Sequence, residues 1–126
     1  MVDFNQSLAL QQGAIHALRH CAAWPRTLHP VYRERRDRVL SVLRSDGWSI
    51  PTPEMALYLW LPLPERLRQQ GLNDETLVTR ILQSSGVALT PGSGFGPAGR
   101  DWLRMALVRP VDELEQAAHR LLDALR

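Results

Sequence analysis

The chain has 126 residues, of which 44% are hydrophobic and 22% charged, and its formal net charge is +2. That length suits one domain with a modest core, and that composition lies far from the low-hydrophobicity, high-charge regime of disordered chains. Two surplus charges spread over interleaved acids and bases are too weak a field for a nucleic-acid binder, one cysteine excludes an internal disulfide or a multi-cysteine zinc site, and no apolar run nears the ~20 residues that span a bilayer.

The expected compartment is the cytoplasm, with neither nucleic acid nor membrane as a partner, since nothing at the N-terminus reads as an export signal. All fifteen basic residues are arginine, and the chain has no lysine. From residue 7 to about residue 20, Leu8, Leu10, Ala14, Ile15, Ala17 and Leu18 recur at three- and four-residue spacing, which predicts an amphipathic helix. Trp24 and Pro25 are expected to form a loop. Pro30 suits the first turn of a second helix, with Val31, Val39, Leu40, Val42 and Leu43 facing a core and the arginines facing water. Gly47 is its expected stop.

Residues 55–61, Met-Ala-Leu-Tyr-Leu-Trp-Leu, form a dense β-prone run between prolines and read as a buried strand with Tyr58 and Trp60 in the core. Asn73, followed by Asp74 and Glu75, is a good helix entry, because a side-chain acceptor satisfies first-turn amides and the acids complement the dipole. That helix should end near Ser84, before Gly86. Residues 87–89 are expected to form a short strand, and residues 102–108 a longer one. Pro110 breaks the chain before a last helix with a start like a capping box at Asp112 and Glu115, reaching Leu125. The element order predicts an α+β sandwich, helices packed on a short, mainly antiparallel sheet.

Four glycines fall between positions 92 and 99, so tight turns or a close approach by another chain or ligand are required there. Gly94, Gly96 and Gly99 match G-x-G-x-x-G in form only, because that pattern needs a following helix to hold a pyrophosphate and Pro97 and a strand follow instead. The loop is either a structural turn or the lining of a site. Strand alternation puts Leu103, Met105 and Leu107 on one face and Trp102, Arg104, Ala106 and Val108 on the other. A guanidinium among apolar neighbours needs a partner, either an internal acid or an incoming carboxylate.

The run Arg33, Arg35, Arg36 and Arg38 reads as a solvated helix face with four-residue pairs Glu34–Arg38 and Arg33–Asp37. His16 and His20 have metal-ligand spacing but no third ligand in any recognisable pattern, so no metal is expected. Neither Ser93 nor Cys21 has a base near it in sequence that would nominate it as a nucleophile.

Several stretches, in order, resemble the C-terminal part of class I/II aminotransferases of fold type I. Residues 11–18, Gln-Gln-Gly-Ala-Ile-His-Ala-Leu, resemble the helix after the cofactor-bearing region. Tyr32, Arg35, Arg36 and Asp37 resemble the family's Y-x-x-R-R-D helix start, and Pro53, Tyr58 and Trp60 its P-x-x-x-x-Y-x-W strand. Residues 86–96 resemble G-V-x-x-x-P-G-x-x-F-G, and residues 102–106 the strand that follows.

This resemblance covers nearly the whole chain. It implies that residues 1–126 are the small domain, with residues 1–26 a remnant of the connection from a large domain. It also implies that Arg104 holds the substrate's α-carboxylate, with the loop of Gly92, Gly94, Phe95 and Gly96 shaping the approach. The complete enzyme would use pyridoxal 5'-phosphate to move an amino group between an amino acid and a 2-oxo acid, as aspartate, aromatic and LL-diaminopimelate aminotransferases do. The family's Schiff-base lysine lies in the large domain. A chain without lysine is therefore expected to be inactive alone, to need that domain in cis or in trans, and to self-associate. The alternative is a non-catalytic carboxylate-binding or oligomerisation module. Carbon-sulfur lyases, cyclopropane-forming synthases and aminotransferase-like transcription regulators share the domain.

Overall fold

The structure is a computed structural model that describes residues 7–55 and 57–126. The chain divides into two compact units, Met1–Val31 and Tyr32–Arg126. In the first, helix α1 (Leu8–His20) has no buried residue, and Leu8, Leu10 and Leu18 are exposed. The tilted rings of His16 and His20 lie 4.7 Å apart, and no group of three metal-binding side chains occurs among the described residues. Helix α2 (Trp24–Ser45) begins in the first unit and continues into the second.

The start of α2 corrects the expected loop at Trp24 and Pro25. Pro25 occupies the first turn, where a missing N–H has no helical acceptor to lose. Pro30 instead lies inside the helix, where it removes one ladder hydrogen bond that the rest of the helix tolerates. Val31, expected in the core, is 39% exposed.

The second unit holds the whole hydrophobic core. Val39, Leu40, Val42 and Leu43 supply the buried stripe of α2, and Gly47 follows the helix at φ +79°, in the left-handed region expected of a stop. Strand β1 (Tyr58–Pro62), helix α3 (Glu65–Gln69), helix α4 (Asp74–Ser85) and strand β2 (Thr90–Pro91) come next. Two short 3-10 turns, Gly92–Phe95 and Pro97–Gly99, lead to strand β3 (Trp102–Ala106) and helix α5 (Val111–Leu125). Helix α4 is entered as its sequence predicts: Asn73 accepts a hydrogen bond from the Thr76 N–H at 2.9 Å, and Gly86 closes it at φ +72°.

The sheet has the order β1-β3-β2 with both pairs antiparallel. Register sets Tyr58 opposite Ala106, Trp60 opposite Arg104 and Pro62 opposite Trp102, while Thr90 faces Arg104 from the other side. Leu59, Leu61, Leu103 and Met105 are buried and join Leu77 and Ile81 of α4 with Leu114, Ala118, Leu121, Leu122 and Leu125 of α5. Helices α2 to α5 and strands β1 and β3 thus pack their apolar residues into one core, the α+β arrangement expected from the sequence.

Several expectations give way in detail. β1 starts at Tyr58 rather than at residue 55 and alternates in burial, so Tyr58 and Trp60 lie on the face away from the core. Met55 is 78% exposed, and Ala56 lies outside the described residues. Residues 87–89 are not a strand, because only Thr90 and Pro91 pair with β3. α3 was not foreseen. Pro110 occupies the N-cap position of α5 with no side-chain cap bond, so the expected capping box is not made.

Candidate functional site

The outward face of the sheet gathers Tyr58, Trp60, Trp102 and Arg104, with Phe95 delivered by the first 3-10 turn. Trp60 stacks with Trp102 at 6.1 Å between ring centroids and meets Phe95 edge-on at 5.7 Å. The half-buried Arg104 guanidinium lies 4.4 Å from the centroid of the Tyr58 ring and 4.6 Å from that of Phe95. Its one side-chain hydrogen bond among the described residues, from Nη2 to Thr90 Oγ1, is long at 3.4 Å.

No carboxylate among the described residues pairs with Arg104. The internal ion pair that the strand pattern admitted is therefore not made among the described residues. Two aromatic rings face the cation, and most of its N–H groups remain available to an anion.

The loop after β2 is built by backbone contact. Gly92 and Gly99 are buried against each other, and a Cβ on either would overlap the other's carbonyl oxygen. Gly96 has φ +111°, a conformation that disfavours side chains. At Gly94 neither constraint applies, since open space surrounds the position a Cβ would take. Phe95 is 54% exposed.

Asp74, only 3% exposed, ties this loop to α4 by accepting the Ser93 N–H at 2.7 Å. Burial alone would push its carboxyl up. The Ser93 N–H bond, with the Ser93 hydroxyl and the backbone N–H groups of Asp74 and Asp101 close to the carboxylate, outweighs burial and holds it below the ordinary carboxylate value. Ser93 Oγ also donates to Glu75 Oε1 at 3.2 Å. The sequence reading placed Asp74 only as a helix-entry acid, and no local pattern pointed 19 residues ahead to Ser93. Tyr58 is the site residue that the sequence reading assigned to the core, and alternation along β1, which puts it on the same face as Trp60 and opposite Leu59 and Leu61, is the signal that finds it.

The arginine run is not simply a solvated face. Arg35 donates to the Leu107 carbonyl at 3.0 Å and Arg36 to that of Pro53 at 3.1 Å, both part-buried bonds. In place of the expected four-residue pairs, Asp37 pairs with its neighbour Arg36 on α2, and Arg38 reaches Glu115 of α5, an acid that only the tertiary fold brings near.

A small antiparallel sheet backed by helices in this order is also found in solved aminotransferases. A structure described as a probable N-succinyldiaminopimelate aminotransferase from Thermus thermophilus matches with a TM-score of 0.82 and 39% identity, covering 98% of this chain and 32% of that one. An aminotransferase from Staphylococcus aureus matches with a TM-score of 0.81 and 28% identity, covering 93% of this chain and 30% of that one. The LL-diaminopimelate aminotransferase of Oleidesulfovibrio alaskensis is 40% identical over 120 residues, 95% of this chain and 30% of that protein. The family model for aminotransferase class I and II matches residues 4–121. The chain belongs to that family, and it spans under a third of the length of these relatives.

Proposed function

We propose that this chain supplies the carboxylate-binding part of a pyridoxal-phosphate aminotransferase acting between an amino acid and a 2-oxo acid, with Arg104 receiving the substrate's α-carboxylate. The observation that carries the reading is a half-buried guanidinium with no acid partner among the described residues, set on the open face of the sheet. A planar, permanently charged fork binds a carboxylate through two parallel hydrogen bonds and so orients the carbon next to it. Gly92, Gly94, Phe95 and Gly96 line the approach. LL-diaminopimelate is the substrate to try first, since it is named for the relatives in sequence.

The residues present do not fit the cofactor itself. Its Schiff base needs a primary amine side chain, and the sequence contains no lysine. In this reading residues 1–126 act as the small domain and residues 1–26 as its connection. The lysine and the cofactor cradle belong to a large domain supplied in cis or in trans, and the 126 residues alone are inactive. Apolar residues exposed on α1, among them Leu8 and Leu18, would then drive copies of the isolated chain together.

The absent lysine also supports a second reading, a carboxylate-binding or oligomerisation module without catalysis. Joining the chain to the lysine-bearing large domain of a relative and measuring kcat/KM separates the two. The first reading expects transamination that falls by roughly a hundredfold or more in Arg104→Met, the scale of a lost charge-paired contact. No transamination, or a kcat/KM that Arg104→Met leaves unchanged, refutes it. Sedimentation of the isolated chain as a monomer at all concentrations refutes the self-association.

A further inference from the structure

An arginine on an open sheet face has a long, rotamer-rich side chain, and Arg104 has no acid among the described residues to hold its head. An acid partner would hold it only by occupying the fork and cancelling its charge. An aromatic ring holds a cation through its face and uses none of its N–H groups, so the edge that recognises carboxylates stays open. Arg104 has two such rings within 4.6 Å and one long hydrogen bond to Thr90.

The rings arrive by different routes. Tyr58 stands on β1 two residues before Trp60, the direct cross-strand partner of Arg104, and so occupies the diagonal position that aromatic side chains can reach. Phe95 ends a 3-10 turn that also contains Ser93, and it stays 54% exposed, so burial does not explain its place. What holds that turn is the Ser93 N–H donated to the buried Asp74 carboxylate at 2.7 Å, together with the close approach of Gly92 to Gly99. Phe95 then meets Trp60 edge-on and Arg104 beside it.

We propose that Tyr58 and Phe95 are positioning residues that seat the Arg104 guanidinium in one orientation with its fork open, and that Asp74, acting through Ser93, keeps Phe95 in place. This rests on the reading of Arg104 as a carboxylate-binding group for its purpose, but the seat itself is a property of the chain alone. The aromatic residues act on substrate only through Arg104, and Asp74 acts at one further remove.

The test is side-chain NMR on the full 126-residue chain, following the Arg104 Nε–H resonance identified by its loss in Arg104→Met. Mobility of that group is measured in the wild type, Phe95→Leu, Tyr58→Leu, Phe95→Tyr and Asp74→Asn, and each is titrated with propionate as the carboxylate probe. The seat predicts a restrained Nε–H that becomes mobile in both leucine variants, with propionate binding weakened about three- to tenfold. Phe95→Tyr should restore both readings. Asp74→Asn should loosen Nε–H while the backbone spectrum stays that of a folded chain.

Unchanged Arg104 mobility in both leucine variants overturns the seat, and unchanged mobility in Asp74→Asn overturns the anchor. A purely structural role for Phe95 would alter stability without moving Nε–H. If Nε–H responds as predicted but the wild type does not bind propionate at Arg104, the seat stands and the carboxylate reading falls.

Discussion

Gly92 and Gly99 approach so closely that a Cβ on Gly92 would run into the Gly99 carbonyl oxygen, and a Cβ on Gly99 into that of Gly92. The Gly92 Cβ would also come within 2.7 Å of the Trp102 carbonyl oxygen. These neighbours are backbone, so relief requires the loop itself to move. Gly92→Ala and Gly99→Ala are each expected to cost about 1–3 kcal/mol, the range for forced overpacking. Gly94→Ala, with open space around it, should stay within about 0.5 kcal/mol of the wild type. Urea midpoints check the contrast, and equal losses at Gly92 and Gly94 would contradict it.

Asp74 makes the fold sensitive to acid. Its folded-state pKa lies below the unfolded value of about 3.9, so the unfolded chain takes up the proton more readily. The stability that Asp74 contributes is present above about pH 4 and is lost as pH falls through the lower folded value. Asp74→Asn should lower stability at about pH 7 and flatten its decline below about pH 4. Asp37, held low by the Arg36 hydrogen bond but half-exposed, should add only a small, salt-sensitive part. Denaturant unfolding across this pH range, with and without added salt, distinguishes the two acids.

Arg44 is a structural arginine. Nε and Nη2 donate to the Ile50 carbonyl at 3.2 and 2.5 Å, and Nη2 also donates to Thr52 Oγ1 at 2.6 Å. A lysine ammonium is a point charge that cannot reproduce this fork. Arg44→Lys is expected to lose about 1–2 kcal/mol and several degrees of Tm despite keeping the charge. A thermal melt indistinguishable from the wild type would show that the 46–57 segment does not depend on it.

Arg104 should behave in the opposite way. It is half-buried and, among the described residues, has no acid to orphan and makes one long side-chain bond, to Thr90, so Arg104→Met should change stability by less than about 1 kcal/mol while abolishing carboxylate binding. Parallel unfolding and propionate titrations test the separation of roles. A large loss of stability would instead make Arg104 a structural residue.

Much of this molecule was legible residue by residue. Asn73 and Gly86 bound α4 because a side-chain acceptor and a left-handed glycine act within one turn. Alternation in residues 102–108 separated Leu103, Met105 and Leu107 from Arg104, because the side-chain period of a strand is local geometry. Misplaced elements were those where short-range signals conflict. Pro25 read as loop and Pro30 as a first turn, yet Pro25 sits in the first turn and Pro30 is carried inside a long helix whose stripe is buried farther on. Residues 87–89 have strand composition, but pairing with β3 begins only at Thr90.

What the sequence alone determined is the α+β class, the caps of α4, the core stripes of α2 from Val39 onward and of β3, the motif order shared with class I and II aminotransferases, and the absence of any lysine. These follow from backbone periodicity, caps and composition, which act over a few residues or need no structure at all. Tertiary structure decided that Arg104 meets two rings rather than an acid, that Asp74 holds the Ser93 turn, and that Gly92 needs Gly99 while Gly94 needs nothing. Each of these joins residues from separate elements, and strand register and chain crossing, set only when the whole core packs, determine which of them meet.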